Sequence, residues 1–352
     1  MSEYTIGVVG TGPNPDESSH DGFSMGYRHA RAFDSVEGCR LVACADVVSD
    51  HARDFGAAFD LPDDGVFTDL ESMLDTASPD VVSICTPPST HVDLVEACVD
   101  HDAVRAVHCE KPLAPTMGES RRLVELGAGD DVQLTINLQN RCSDGAAAIK
   151  SAIDGGEIGD LERVEIGRQD LLQTGLHHLD LANYVLGDEP VEWIVGQIDY
   201  PDEHIWYTDM PAEVQGLGMW EYESGVHGLC STGAGASAVG PQTNRFLGTE
   251  GAIEFQLGDE YRIRTPTTGG WTTVEVGGAS AQTAAAEVVV RSLETGTEPI
   301  IGADRALGAT ELVFGIWESA RRRGRVEPPL EIEDNPLRAL IESGELPPSR
   351  DE

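Results

Sequence analysis

The sequence predicts an α/β chain in two parts: a doubly wound parallel sheet over residues 1–128, then an α+β part over 129–352 with a large, mainly antiparallel, open-faced sheet. Three observations predict this. Short apolar runs alternate with helix-period segments through the first third of the chain. The alternation stops near residue 145, and strand-like runs then follow one another with no long helix between them. A chain of 352 residues is also longer than one ordinary hydrophobic core serves.

Residues 4–10 are an apolar run ending in glycine, which suits a buried parallel strand. A helix is expected over 26–36, a strand over 40–46 and a helix over 48–58. Val81 to Cys85 is the third buried strand, followed by a helix over 91–101. A strand at 104–109 leads into Glu110, a helix spans 116–127, and Val132 to Ile136 is the last strand of this pattern. Helices are then expected at 145–154 and 177–186, the second stopped by Gly187 with Pro190 beyond it. Strand-like runs lie at 192–199, 213–222, 225–231, 244–248, 251–257, 261–264 and 271–276. Two helices, 281–295 and 303–322, close the second part, and a Pro-rich tail carries a short helix near 336–343. With no helix in sequence to cover its second face, this sheet predicts a homodimer or homotetramer.

Asp and Glu total 62 against 23 Lys and Arg, a net charge of −39. This excludes nucleic acid as a partner, because phosphates need a basic face. The acids are spread between apolar segments, and lysine is reduced to Lys111 and Lys150. That pattern predicts a halophilic protein, in which screening suppresses self-repulsion. No apolar run is long enough to span a bilayer. The N-terminal residues enter a strand without a basic or apolar leader, so the expectation is a cytoplasmic protein. Seven cysteines stand singly at 39, 44, 85, 98, 109, 142 and 230, which reads as free thiols. No metal is expected, since no His, Cys or Asp cluster has ligand spacing.

The first strand ends at Gly10-Thr11-Gly12, the start of a pyrophosphate-binding turn of the Rossmann kind. The position for a third glycine holds Pro15, but Gly26 opens the first helix, and Pro13 to Met25 reads as an insertion within the turn. Its polar and small residues suggest a cover over the dinucleotide. Asp46 ends the second strand, 20 residues after Gly26, where a carboxylate meets the adenosine ribose. Its charge favours NAD over NADP as the cofactor.

Further residues carry a family resemblance: Gly26-Tyr27-Arg28-His29-Ala30, Thr86-Pro87 with His91, Glu110-Lys111-Pro112, Asn140-Arg141, Gly175 to Asp180, and Gly248-Thr249-Glu250-Gly251. The chain resembles the glucose–fructose oxidoreductase / inositol dehydrogenase (Gfo/Idh/MocA) family along nearly its whole length. The resemblance implies that Lys111 is the catalytic lysine and that His177 and Asp180 line the substrate site. Gly10, Gly12, Gly26, Asp46, Thr86, Pro87, His91, Glu110 and Lys111 are the expected cofactor contacts. The chemistry agrees: hydride transfer from a carbinol needs a proton acceptor, for which histidine suits, and a cation for developing alkoxide, for which Lys111 suits. One departure matters. The family carries Asp four residues before the histidine, and here that residue is Gln173. Asp170, in the same loop, is the alternative carboxylate, and Asn140, Arg141, Asp170 and Gln173 are candidate substrate contacts. The expected substrate is a small sugar, polyol or related hydroxy or keto compound. The alternatives are a glycosidase that oxidises its substrate transiently on bound NAD, and a non-catalytic dinucleotide-binding regulator.

Overall fold

A computed structural model describes residues 3–15, 24–129, 132–199, 206–233, 236 and 243–346. The expected cover over the dinucleotide falls mostly on residues 16–23, which lie outside the described residues. Two compact units emerge. The first comprises Met1–Ala114, Glu119–Gln139 and Ser280–Asp304; the second comprises Pro115–Gly118, Asn140–Ala279 and Arg305–Glu352. The chain thus passes between units several times, where the sequence alone suggests one cut after residue 128.

The first unit holds β1 (Tyr4–Val9), β2 (Cys39–Ala45), β3 (Val66–Phe67), β4 (Val81–Ile84), β5 (Ala106–Cys109) and β6 (Gln133–Ile136). These form one sheet in the order β3-β2-β1-β4-β5-β6, parallel throughout. Strand order reverses between β1 and β4, which is where such sheets open a ligand crevice at the strands' carboxyl ends. The strands are apolar because helices cover both faces of a parallel sheet: Ile6, Val8, Val81, Val82, Ile84, Ala106 and Val107 are fully buried. Helices α1 (Met25–Asp34), α2 (Ser49–Ala58), α3 (Leu70–Ala77), α4 (His91–Val99) and α5 (Met117–Gly127) alternate with them. Strand β3 and helix α3 are additions to the sequence reading. β3 has two residues, too few to show a period, while α3 is announced by Asp69, whose side chain accepts the Ser72 N–H at 2.8 Å.

The second unit contains α6 (Asp144–Asp154), β7 (Leu161–Arg168), α7 (Leu176–Val185), β8 (Val191–Asp199) and a small hairpin of β9 (Trp206–Tyr207) and β10 (Met210–Pro211). Then come β11 (Gln215–Tyr222), β12 (His227–Thr232), β13 (Asn244–Gly248), β14 (Ala252–Phe255), β15 (Glu260–Arg264) and β16 (Thr272–Glu275). The large sheet runs β16-β15-β14-β13-β7-β12-β11-β8. Every pairing is antiparallel except β12 with β7. Strand β7, central in this sheet, is absent from the sequence reading. Helix α8 (Ala281–Thr295) packs against α1 in the first unit instead of closing the second. Helix α9 (Ala303–Arg322) lies on one face of the large sheet, where a Cβ at Gly218 would stand 2.4 Å from Ile316 Cδ1. A short α10 (Pro336–Glu342) follows, its N-cap Asn335 accepting the Arg338 N–H at 3.0 Å.

Candidate dinucleotide cleft and candidate reacting groups

The turn after β1 has the geometry a pyrophosphate needs. Gly10 and Gly12 have φ of +79° and +67°, a region glycine enters without strain. A Cβ on Gly26 would stand 2.8 Å from Thr11 Cα and 2.9 Å from the Gly10 carbonyl oxygen. Gly26 therefore performs the close helix–strand packing of the third glycine, despite the inserted residues. Ser24, at the N-cap of α1, donates its hydroxyl to the Pro13 carbonyl at 2.6 Å instead of capping the helix.

Asp46 closes this turn from β2. Its Oδ2 accepts the Gly12 N–H at 2.9 Å and the Thr11 hydroxyl at 3.1 Å, and its Oδ1 accepts the Val48 N–H at 2.9 Å. A carboxylate offers about four acceptor positions, so one remains on Oδ1 for a ribose hydroxyl. His51 Nδ1 stands 3.6 Å from that oxygen. Gly10, Gly12, Asp46, His51, Cys85 and Thr86 line a cleft of about 570 Å³, together with Pro87 and Thr90. The volume lies in the range of small-molecule sites.

Around this cleft the other expected cofactor residues take different places. Thr86 is tied to the start of α4 by the Thr90 hydroxyl, at 2.7 Å. The His91 ring is fully buried, with Nδ1 3.0 Å from the Leu113 carbonyl and Nε2 3.0 Å from the Thr86 carbonyl. Burial lowers its pKa, opposed by these carbonyls. His91 thus clamps two loops together and does not line the cleft.

Glu110 is also buried. Its Oε1 meets His29 Nε2 at 2.8 Å and accepts from Asn137 Nδ2 at 2.6 Å, while Oε2 accepts the Lys111 backbone N–H at 3.1 Å. Burial works against both charges of the pair. For His29 the neighbouring Cys85 and Glu110 outweigh it and raise the imidazole to about 10. For Glu110 the His29 hydrogen bond and charge, with Lys111 and Asn137, hold the carboxyl down at about 2. His108, whose ring centroid is 5.1 Å from that of His29, is pushed to about 3 by burial and by the His29 charge. Glu110 is therefore committed inside the protein, which corrects the expectation of a direct cofactor contact. Lys111 follows it at the carboxyl end of β5, the strand next to β4 and its Thr86 loop.

In the second unit, Arg141 and Asp180 spend their polar atoms on each other. Arg141 Nη2 is 2.5 Å from Asp180 Oδ1 and Nε is 3.0 Å from Oδ2, with both side chains fully buried. Asp188 completes the cluster at 2.9 Å from Nη2. Burial pushes the Asp180 carboxyl up to about 6 against the pull of Arg141. Neither residue is presented to a substrate, because a charge removed from water must be paired. Asp170 caps the turn Leu171–Gly175, accepting from the Gln173 N–H and from the Thr174 N–H, the latter at 3.1 Å. This is a cap's geometry rather than that of a general base. His178 is fully buried and bonded to Asn244, and burial lowers its pKa strongly. His177 opens α7, one turn before Asp180, and Asn140 precedes Arg141 in a short helical turn over Gln139–Cys142.

One functional candidate escaped the sequence reading. Glu213 is 1% exposed, and its carboxylate accepts the Leu171 N–H at 2.6 Å and the Trp317 indole N–H at 3.1 Å. Burial first, and the nearby Asp170 second, raise it to about 8. Among the described residues no group of three or more His, Cys, Asp or Glu is placed to hold a metal, and no helix is long and apolar enough to cross a membrane.

Residues 5–138 match the model of the Gfo/Idh/MocA oxidoreductase family, NAD-binding Rossmann fold. The chain is 29% identical over 182 residues to the inositol 2-dehydrogenase of Rhizobium meliloti, covering 47% of this chain and 53% of the relative. It is 26% identical over 215 residues to the myo-inositol 2-dehydrogenase of Thermotoga maritima, covering 57% and 60%. The chain thus spans little more than half the length of these curated relatives. A solved levoglucosan dehydrogenase, in complex with NADH and levoglucosan, superposes with a TM-score of 0.78 at 19% identity, over 94% of this chain and 100% of that one. An oxidoreductase from Agrobacterium radiobacter, in complex with NAD+, L-tartaric acid and magnesium, gives 0.76 at 18%, over 93% and 98%. At these identities the likeness establishes the shared fold.

Proposed function

We propose that this chain, whose residues 5–138 carry the NAD-binding Rossmann domain of the Gfo/Idh/MocA oxidoreductase family, transfers a hydride between a nicotinamide dinucleotide and a sugar, polyol or related hydroxy or keto compound. The observation that carries the reading is the Gly10–Gly12–Gly26 turn clamped by Asp46 beside a cleft of fitting size. The curated relatives named as inositol dehydrogenases support the substrate class. When bound, the dinucleotide supplies the hydride acceptor or donor. The turn's backbone and the N-terminus of α1 hold its phosphates, and Asp46 takes a ribose hydroxyl and disfavours a 2′-phosphate, hence NAD over NADP.

In this reading Lys111 stabilises developing alkoxide character. His177 is the acceptor of the hydroxyl proton, with Lys111 the alternative. Asp180, paired with Arg141, orients the helix turn that carries His177 and does not act on the substrate. The protein works in a cytoplasm of high salt as a dimer or tetramer. The test is to incubate the pure protein in molar salt with NAD+ or NADP+ and a panel that includes myo-inositol and levoglucosan. The expected result is stoichiometric growth of reduced-nicotinamide absorbance with one of them, stronger with NAD+. Turnover of glycosides without net cofactor reduction would establish the glycosidase instead. Cofactor binding with no turnover of any kind would leave the regulator.

A further inference from the structure

With Lys111 taken as a reacting group, as proposed above, the residues packed beneath it acquire a role. Side chains from five separate elements form one hydrogen-bonded chain there. His29 of α1 reaches Ser83 of β4 at 2.7 Å and Glu110 at the end of β5 at 2.8 Å. Asn137, after β6, donates to the same Glu110 oxygen at 2.6 Å, and Gln282 of α8 donates to Asn137 Oδ1 at 3.3 Å. His29, Ser83, Glu110 and Asn137 are between 0% and 5% exposed. The other Glu110 oxygen accepts the backbone N–H of Lys111. At the opposite end, Ser83 Oγ lies 3.8 Å from Cys85 Sγ, and Cys85 lines the cleft.

A buried ion pair is weak evidence of stabilisation, because packed apolar residues of the same volume usually do as well. What such a pair does supply is direction. With Oε1 saturated by His29 and Asn137, the Glu110 carboxylate is fixed in orientation, and its remaining oxygen points at one peptide. We infer that His29, Glu110 and Asn137 are positioning residues for Lys111: they fix where its main chain leaves β5 and set a permanent negative charge one residue before its ammonium. The alternative is a staple that merely joins α1 to the sheet.

The chain's two lysines allow a direct test. Reductive methylation with 13C-formaldehyde gives one dimethyl-lysine signal each for Lys111 and Lys150 beside that of the N-terminal amine, assigned with Lys150→Arg and Lys111→Ala. The variants are Glu110→Gln, His29→Gln and the double, the last being neutral and hydrogen-bonding and so the safest to fold. The expected result in the double variant is a displaced or broadened Lys111 signal beside an unchanged Lys150 signal. Turnover of the substrate found by the panel falls on the order of 100-fold, the scale of a reacting group misplaced by about 1 Å, while the Kd for NAD+ changes less than about threefold. The single variants lose about as much as the double, since the pair acts as a unit. An unmoved Lys111 signal, or full turnover in the double variant while Lys111→Ala is dead, overturns the inference. If Lys111→Ala itself keeps turnover, the premise about Lys111 fails, and the NMR signal still decides whether the network positions it.

Discussion

Glu213 offers a prediction whose sign is fixed by its surroundings. An acid whose pKa rises from the ordinary 4.5 to about 8 on folding stays protonated in the folded chain while the unfolded chain ionises. The folded state then holds more protons, so stability falls as pH rises across that interval and levels off above about 8. At about 1.4 kcal/mol per pH unit, the ceiling on this loss is about 5 kcal/mol. Glu213→Gln abolishes the titration. It also costs about 1–3 kcal/mol at every pH, because one of the two N–H donors, Leu171 or Trp317, then faces an amide NH2. The variant should therefore be the less stable protein near pH 5 and should recover at least about 1.5 kcal/mol relative to wild type by about pH 9. Denaturant unfolding in constant molar salt measures this difference, and the remaining surface acids, common to both proteins, cancel. A wild-type-minus-variant difference that stays constant from acid to alkaline pH would falsify the argument.

Three further outcomes follow from the same structure. Gly26→Ala forces a Cβ to 2.8 Å from the Thr11 backbone; it should cost about 1–3 kcal/mol and weaken NAD+ binding about tenfold, and titration showing unchanged affinity would count against the cradle. The net charge of −39 should make the thermal midpoint rise from low to molar salt, so equal midpoints would remove the halophilic reading. Val195, Leu217 and Met219 are 42%, 53% and 41% exposed on the open face of the large sheet. Leu217→Glu with Met219→Glu should turn an oligomer into a monomer in light scattering, whereas a wild-type monomer at all concentrations would refute the interface.

The parallel sheet was legible because its central strands are buried and mostly apolar, as in Val81 to Ile84, where Ser83 is the one polar residue. Strand β7 was not legible. Glu162, Arg163 and Glu165 interrupt its apolar residues, and they make sense only beside their neighbours: Glu165 pairs across the sheet with Arg245, which pairs with Glu254, which pairs with Arg262. A cross-strand ladder supplies the strand with what local propensity lacks. The site divided along similar lines. Gly10, Gly12, Gly26 and Asp46 were readable because a strand–turn–helix–strand unit spaces them in a fixed way, even though Asp46 meets Gly12 34 residues away. The partners of Glu110 and Asp180 lie 81 and 39 residues away and leave no periodic trace.

Those misplaced carboxylates share a rule. In a chain with 62 acids and 23 Lys and Arg, six acids are buried among the described residues: Asp46, Glu110, Glu165, Asp180, Glu213 and Glu318. Four have a cation in contact: His29 for Glu110, Arg245 for Glu165, Arg141 for Asp180, and Arg321 and Arg322 for Glu318. Scarce positive charge is thus spent where a carboxylate leaves water, as the cost of burying an unpaired ion requires. Asp46 and Glu213 rest on neutral donors instead, apart from His51 at 3.6 Å from Asp46. An acid kept without a close cation retains acceptor capacity or a labile proton. For Asp46, at the edge of the cleft, that capacity suits a ribose hydroxyl. For Glu213, sealed beneath the turn that leads to His177, it leaves a proton whose loss the fold must feel.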